Sequence, residues 1–264
     1  MEVTWLRYTT FNKKNGGHMS EPRKIIVIGG LHGDETLGID LVNLIRNKPI
    51  TGIDGIFGNP MATSVNARYI DQDLNRVFPG KLYGCLEEVR AHQIMQVVKG
   101  YELVIDFHNT TSDHNDCGFV GETFLKKTLQ LSLLVGLKRI VVANYDCINK
   151  VLSNCLSIEI SFSSDLNNAE YWYEKLVGLS SADIQSQSLD SLQLFKFIDR
   201  VYEDRYKQFD LKFKNFEAIS SQAKRNLEIT EELEIYSILV NPDLVAGKYC
   251  ALVEKIALLP HFVE

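Results

Sequence analysis

Residues 24–38 read KIIVIGGLHGDETLG. The β-branched run Ile25-Ile26-Val27-Ile28 predicts a strand buried on both faces, and Gly29-Gly30 end it. His32, Gly33, Asp34 and Glu35 follow, and from Thr36 the apolar residues Leu37, Leu41, Leu44 and Ile45 recur at helical spacing. A buried strand that breaks at paired glycines and leads into a helix is the repeating unit of an α/β sheet. Such sheets collect their chemistry where strands end. Taken alone, HGDE admits two readings. It is a polar turn whose Glu opens the next helix, or a His-x-x-Glu pair able to reach one zinc ion.

Moving outward, Ile53 to Phe57 predicts a second strand that stops at Gly58-Asn59-Pro60. The stretch MATSVNARYIDQDLNRVFPG (residues 61–80) is polar and aperiodic, and a long irregular segment in a compact domain is usually functional. Leu86 to Lys99 reads as a helix, and Leu103 to Phe107 as a strand delivering Asp106, His108 and Asn109. Phe124 to Leu137 reads as a helix, Ile140 to Ala143 as extended, and Cys155 to Phe162 as a strand carrying Glu159. Ala169 to Leu179 and Leu189 to Phe209 read as helices. This alternation predicts an α/β fold, a mixed, mainly parallel sheet flanked by helices. From Leu211 onward short alternating runs predict a small β-rich appendage. The expected division is 1–208, with 1–22 a flexible leader, and 209–264.

Net charge is −6, and no Lys/Arg run marks a nucleic-acid footprint. The five cysteines are scattered without a C-x-x-C, which fits neither a disulfide scaffold nor a cysteine-rich zinc site. No apolar run reaches signal-peptide or membrane-spanning length. The expectation is a cytoplasmic protein without a membrane or nucleic-acid partner. A homo-oligomer is compatible with the sequence and is not specified by it.

Three strand ends supply His32 with Glu35, His108, and Glu159. Two histidines and a carboxylate with an open fourth position make a catalytic zinc site. Glu159, between Ile158 and Ile160, is then the general-base candidate, because desolvation raises a carboxyl pKa toward neutrality. The competing reading has it on the surface or paired with an arginine. Asp106, two residues before His108, is placed to orient a ligand histidine. Arg68, Asn75 and Arg76 lie in the irregular loop; they suit an anionic small molecule, or pair with Asp71 and Asp73. His18, His92, His114 and His261 read as surface or packing histidines.

In order, GGLHGDETLG, NPMATSVNARYIDQDLNRVF, EVRAHQI, VIDFHNTTS and SIEIS resemble the aspartoacylase/succinylglutamate desuccinylase family, which belongs with the zinc carboxypeptidases. The resemblance runs from about Ile25 to Ser161, and its RYIDQDLNR and DFHNTTS blocks lie closer to aspartoacylase. It implies one zinc held by His32, Glu35 and His108. It further implies Arg68 polarising the scissile carbonyl, Asn75 and Arg76 gripping a free carboxylate, Tyr145 lining the pocket, and Glu159 acting as base and then acid. Acetylaspartate-cleaving members carry an arginine about ten residues before the catalytic Glu. That position is Asn149 here, so Lys150 is the candidate second cation, and Asn109 joins the substrate-facing residues. The implied activity is removal of the acyl group from a small anionic N-acyl amino acid, with N-acetylaspartate first. The alternatives are a deacylase of neutral or aromatic N-acyl amino acids, a carboxypeptidase, and a zinc-containing binding protein without catalysis.

Overall fold

Ile25–Gly29 (β1) is buried at every position, as a run without polar alternation requires. The computed structural model describes residues 24–230, 232–241 and 247–257; the leader, His18 and His261 lie outside these. The remaining strands are β2 (Ile53–Phe57), β3 (Leu103–Thr110), β4 (Cys117–Gly121), β5 (Arg139–Ala143), β6 (Cys155–Ser161), β7 (Gln193–Tyr202), β8 (Glu217–Ala218), β9 (Ile235–Ile238) and β10 (Lys248–Ile256). Among the described residues they form one ten-stranded sheet in the order β2-β1-β3-β6-β4-β5-β7-β10-β9-β8. Strands β2, β1, β3 and β6 are mutually parallel, as are β4, β5 and β7. The two blocks meet antiparallel at β4 and β6, so the sheet is mixed, as expected.

Helices cover both faces. On one side α1 (Thr36–Asn47), α4 (Lys126–Leu134) and α6 (Ala169–Leu179) pack Leu41, Leu129 and Trp172 against Val27, Ile105, Phe107 and Ile158. Each such fully buried side chain contributes roughly 1.5–3 kcal/mol. On the other, α3 (Leu86–Val98) lays Ala91, Ile94 and Val98 on Ile26, Ile28 and Val104. Close backbone approach fixes the first turn. A Cβ on Gly29 would stand 1.9 Å from Gly38 O, so only glycine lets α1 start against the end of β1.

The expected helix over Leu189 to Phe209 is instead strand β7 followed by the short helix α7 (Glu203–Phe209). Leu189, Leu192, Phe195, Ile198 and Val201 recur every three residues and imitate a helical face. The edges of β5 and β10 take up this segment's backbone hydrogen bonds on both sides, and tertiary pairing overrides the local pattern. Strand β4 had no counterpart in the sequence reading. The run from Leu211 to Ile219 yields only β8, followed by α8 (Ser221–Asn226). The C-terminal strands have a core of their own around Leu211, Ile219 and Leu252, yet β10 pairs along β7 and so extends the same sheet.

One irregularity in that pairing reorients side chains. Leu252 and Val253 are neighbours on β10, but their partners Asp199 and Phe197 are two apart on β7. The bulge lies at Ile198. A strand bulge shifts the parity of the residues beyond it. Phe197 and Arg200, three residues apart, therefore share a face, opposite Val253 and Ala251.

Candidate metal centre and active site

The turn after β1 carries His32 and Glu35 toward His108, which projects from β3. His32 Nδ1 stands 2.7 Å from Glu35 Oε1, His108 Nδ1 2.8 Å from Glu35 Oε2, and the two Nδ1 atoms 3.2 Å apart. All three residues are buried. The outer nitrogens are held by carboxylates. His108 Nε2 donates to Asp106 Oδ2 at 2.7 Å, and His32 Nε2 to Asp73 Oδ1 at 3.1 Å. With those protons on Nε2, each Nδ1 turns a lone pair toward Glu35, and three electron-rich groups converge on one point. That arrangement fits a divalent cation, with carboxylates fixing the tautomers of its histidine ligands.

The same contacts set the electrostatics of the three residues. Burial opposes charging of His108, but Asp106 and Glu35 override it and hold its pKa well above the usual histidine value. His32 is raised in the same way: burial lowers it, and Glu35 and Asp73 outweigh burial. Burial works against the Glu35 carboxylate, which the two histidines nonetheless hold below its ordinary range.

Ser157 Oγ lies 3.0 Å from Asp106 Oδ2 and 2.8 Å from Asn149 Oδ1. Asn149 Nδ2 donates to the carbonyls of Phe119 and Cys155. Asn149 is therefore a buried brace behind the carboxylate that holds His108. Lys150 pairs with exposed Asp146 at 2.6 Å and does not join the site cluster, contrary to the expectation of a pocket cation there. Asn109 also points elsewhere. Its Oδ1 accepts from Leu37 N at the start of α1 and its Nδ2 donates to Asn167, while only its backbone N–H reaches Glu35, at 3.2 Å. His92 and His114 join no ligand group among the described residues.

Glu159 sits beside His108 in the β3–β6 register and is half-buried. Burial and the nearby Glu35 charge push its carboxyl up to about 7, against the pull of both histidines and Arg68. Its carboxyl group makes no hydrogen bond with the described residues, while its backbone pairs with β3 and β4. Arg68 Nη1 reaches Glu35 Oε1 at 3.1 Å and Nη2 lies 3.5 Å from Asp73 Oδ2, so the pairing with Asp73 read from the sequence does occur, beside the His32–Glu35–His108 group. Asn75 Oδ1 accepts from Ile148 N at the start of α5 (Ile148–Val151), and its Nδ2 stands 3.3 Å from His108 Nε2. Arg76 donates from Nη1 to the carbonyls of Asn75 and Asp146, and its guanidinium lies 5.4 Å from the Tyr145 ring centroid.

Four participants escaped the sequence reading in these roles: Asp73, Glu87, Arg200 and Lys248. Glu87 is the anchor of the arginine loop. Buried on α3, it accepts from Asn59 Nδ2 (3.0 Å) and from the backbone N–H groups of Ile70 (2.8 Å), Asp71 (3.1 Å) and Gln72 (3.3 Å). Gly33 N donates to Arg68 O at 3.2 Å and ties the same loop to the HGDE turn. Burial opposes charging of Glu87, and these donors hold its pKa below normal. Glu87→Gln leaves buried donors without an acceptor, at roughly 1–3 kcal/mol each. We expect a lower melting temperature and, because the loop carries Arg68 and Arg76, a raised KM at nearly unchanged zinc content. An unchanged KM would show that the loop is held by other contacts.

Arg200 lies 5.0 Å from the Tyr145 ring centroid and 5.4 Å from that of Phe197. Lys248, half-buried on β10, has its pKa lowered by burial and then by the charges of Arg200, Arg76 and Arg68. Asp73 alone among the named causes acts against them.

Comparison with known proteins gives a family match and a likeness of fold. Residues 21–142 match the succinylglutamate desuccinylase/aspartoacylase catalytic domain. The N-acyl-aromatic-L-amino acid amidohydrolase (carboxylate-forming) of Xenopus laevis is 36% identical over 114 residues, covering 36% of this chain and 37% of that protein. The aspartoacylase of Danio rerio is 35% identical over 121 residues, covering 39% of this chain and 38% of that one. The chain thus spans somewhat over a third of the length of the curated relatives it matches. In fold, the chain is similar to the crystal structure of succinylglutamate desuccinylase from Chromobacterium violaceum, with TM-score 0.66 at 20% identity over 90% of this chain and 86% of that one.

Proposed function

Because residues 21–142 match the succinylglutamate desuccinylase/aspartoacylase catalytic domain, we propose that the chain is a zinc-dependent hydrolase of that family that removes the acyl group from an N-acyl amino acid in the cytoplasm, with N-acetylaspartate as first candidate. One observation carries this reading: two carboxylate-oriented histidines and Glu35 converge on one point beside the raised carboxyl of Glu159.

His32, Glu35 and His108 would hold the ion through Nδ1, a carboxylate oxygen and Nδ1. Zinc there would polarise the acyl carbonyl and lower the pKa of a water molecule to about 7. Glu159 takes the proton of the attacking water and returns it to the departing amine nitrogen, a task suited to a carboxyl displaced toward neutrality. Arg68 aims guanidinium N–H donors at the developing oxyanion, worth on the order of 3–4 kcal/mol per donor in comparable acyl-transfer sites. Arg76, whose described contacts are backbone carbonyls and an aromatic ring, receives the free α-carboxylate with a planar fork. Asn75, whose Nδ2 stands 3.3 Å from His108 Nε2, is the second donor to that carboxylate. Asp106 and Asp73 keep the two imidazoles in one tautomer throughout.

The test is amine release from N-acetylaspartate and from a panel of acetylated neutral and aromatic amino acids, before and after chelation. Hydrolysis that disappears with the metal and returns on adding zinc is the expected outcome. Turnover of the neutral or aromatic members alone moves the assignment to that substrate class, and no turnover of any member contradicts it.

A further inference from the structure

The cations near the His32–Glu35–His108 group are unbalanced. Arg68 has Glu35 and Asp73 as partners, but Arg76 and Arg200 have no carboxylate within ion-pair distance among the described residues. Both stack on one ring, Tyr145, at 5.4 and 5.0 Å from its centroid. One of these forks is accounted for by the α-carboxylate of the proposed substrate. The other is not.

Arg200 does not reach this place by ordinary strand alternation. In a regular β7 it would share a face with Ile198 and Lys196, away from Phe197. The bulge at Ile198 turns it to the face of Phe197, Val253 and Tyr145. Bulges of this kind re-aim side chains beside sites. The guanidinium is half-buried and held by two aromatic rings, so its planar donors are pre-oriented. Lys248 lies close enough to Arg200, Arg76 and Arg68 to feel all three, which concentrates positive charge in a protein of net charge −6. Such a cluster attracts anions and rejects uncharged analogues.

We propose that Arg200 receives a second carboxylate of the substrate, so that the site selects dianionic N-acyl amino acids; this rests on the deacylase reading above. Arg200 is thus a specificity-determining residue, and it fills from β7 the role expected of Lys150. The second carboxylate belongs either to the amino-acid side chain or to a dicarboxylic acyl group, and Arg200 recognises both by the same chemistry.

The experiment compares wild type, Arg200→Met and Arg200→Lys on three pairs of ligands. N-acetylaspartate against N-acetylasparagine isolates a side-chain carboxylate, and N-succinylalanine against N-acetylalanine isolates one on the acyl group. Calorimetric binding of L-aspartate against L-asparagine, neither of which has an acyl group to lose, gives a readout independent of turnover. In wild type we expect kcat/KM to favour the dianion of at least one pair by roughly 100-fold, the scale of one charged hydrogen-bonded contact. Arg200→Met abolishes that preference by lowering the rate on the dianion while leaving its neutral partner within about threefold, and Arg200→Lys restores part of it as a point charge. The pair that responds identifies which carboxylate Arg200 holds. A fall shared equally by both members of each pair, or an unchanged preference in Arg200→Met, overturns the proposal. If wild type hydrolyses no N-acyl amino acid, the deacylase reading fails instead. Calorimetry then decides Arg200 alone, with L-aspartate against L-asparagine and with intact N-succinylalanine against N-acetylalanine: a preference for the dianion of either pair that Arg200→Met removes keeps the anion site, and equal binding within both pairs ends it.

Discussion

Glu159→Gln is expected to retain one zinc per chain and to lose about 100- to 10,000-fold in turnover, the usual range for a positioned general base. Glutamine keeps the shape and a carbonyl oxygen but cannot take a proton from water or return one to the amine. KM should change little, because Glu159 grips no fixed part of the substrate. The pH profile is the sharper readout. A base must be deprotonated, so a group pushed up to about 7 by burial gives a rate that rises with pH through that region, drawn lower by the charge of a bound metal. That rising limb should vanish in Glu159→Gln. A variant with wild-type turnover, or with the same limb at reduced height, would assign the proton transfer to another group.

Loss of a metal ligand should be more drastic still. His108→Gln removes one of three proposed ligands and also takes the imidazole from Asp106, leaving it Ser157 Oγ. Asp106 is fully buried, and its Oδ1 already lacks a hydrogen bond. Zinc should fall below detection after dialysis, with activity lost alongside it. Stability should fall as well, by about 3–5 kcal/mol, because a buried charge is left without its counterpart. The double variant His108→Gln with Asp106→Asn separates the two effects. It should recover most of the melting temperature and none of the zinc. Recovery of zinc in the double variant would place the ion elsewhere, and an undiminished melting temperature in the single variant would show that the Asp106–His108 pair contributes no stability.

The grouping of His32, Glu35 and His108 was legible because its parts are local. His32 and Glu35 are three residues apart at a glycine-broken strand end, and Asp106 and His108 are two apart on one strand face. Alternation of strand and helix gave the sheet for the same reason, since each unit declares itself within a short window. The features that escaped depend on distant pairing. Asp73 meets His32 across 41 positions, and nothing in the local string separates it from Asp71, which caps the start of α3 through Leu86 N. Glu87 reads as one more acid on a helix until three backbone N–H groups from a loop 15 to 17 positions away arrive on it. Arg200 was hidden twice. Its segment has a three-residue apolar rhythm that reads as helix, and the bulge at Ile198 reverses the face that strand alternation alone would give it. Asn149 shows the opposite case. Its difference from the arginine expected there was visible in the sequence, but its bonding to Phe119, Cys155 and Ser157 was not.

The most direct test of the metal-centred account is a zinc titration of chelator-treated protein, with total metal and N-acyl amino acid hydrolysis read on the same samples. The account predicts no hydrolysis at zero zinc and a linear rise that breaks at one zinc per chain, absent in the His108→Gln protein. Full activity without metal, or a break that persists when His108 is replaced, would contradict it.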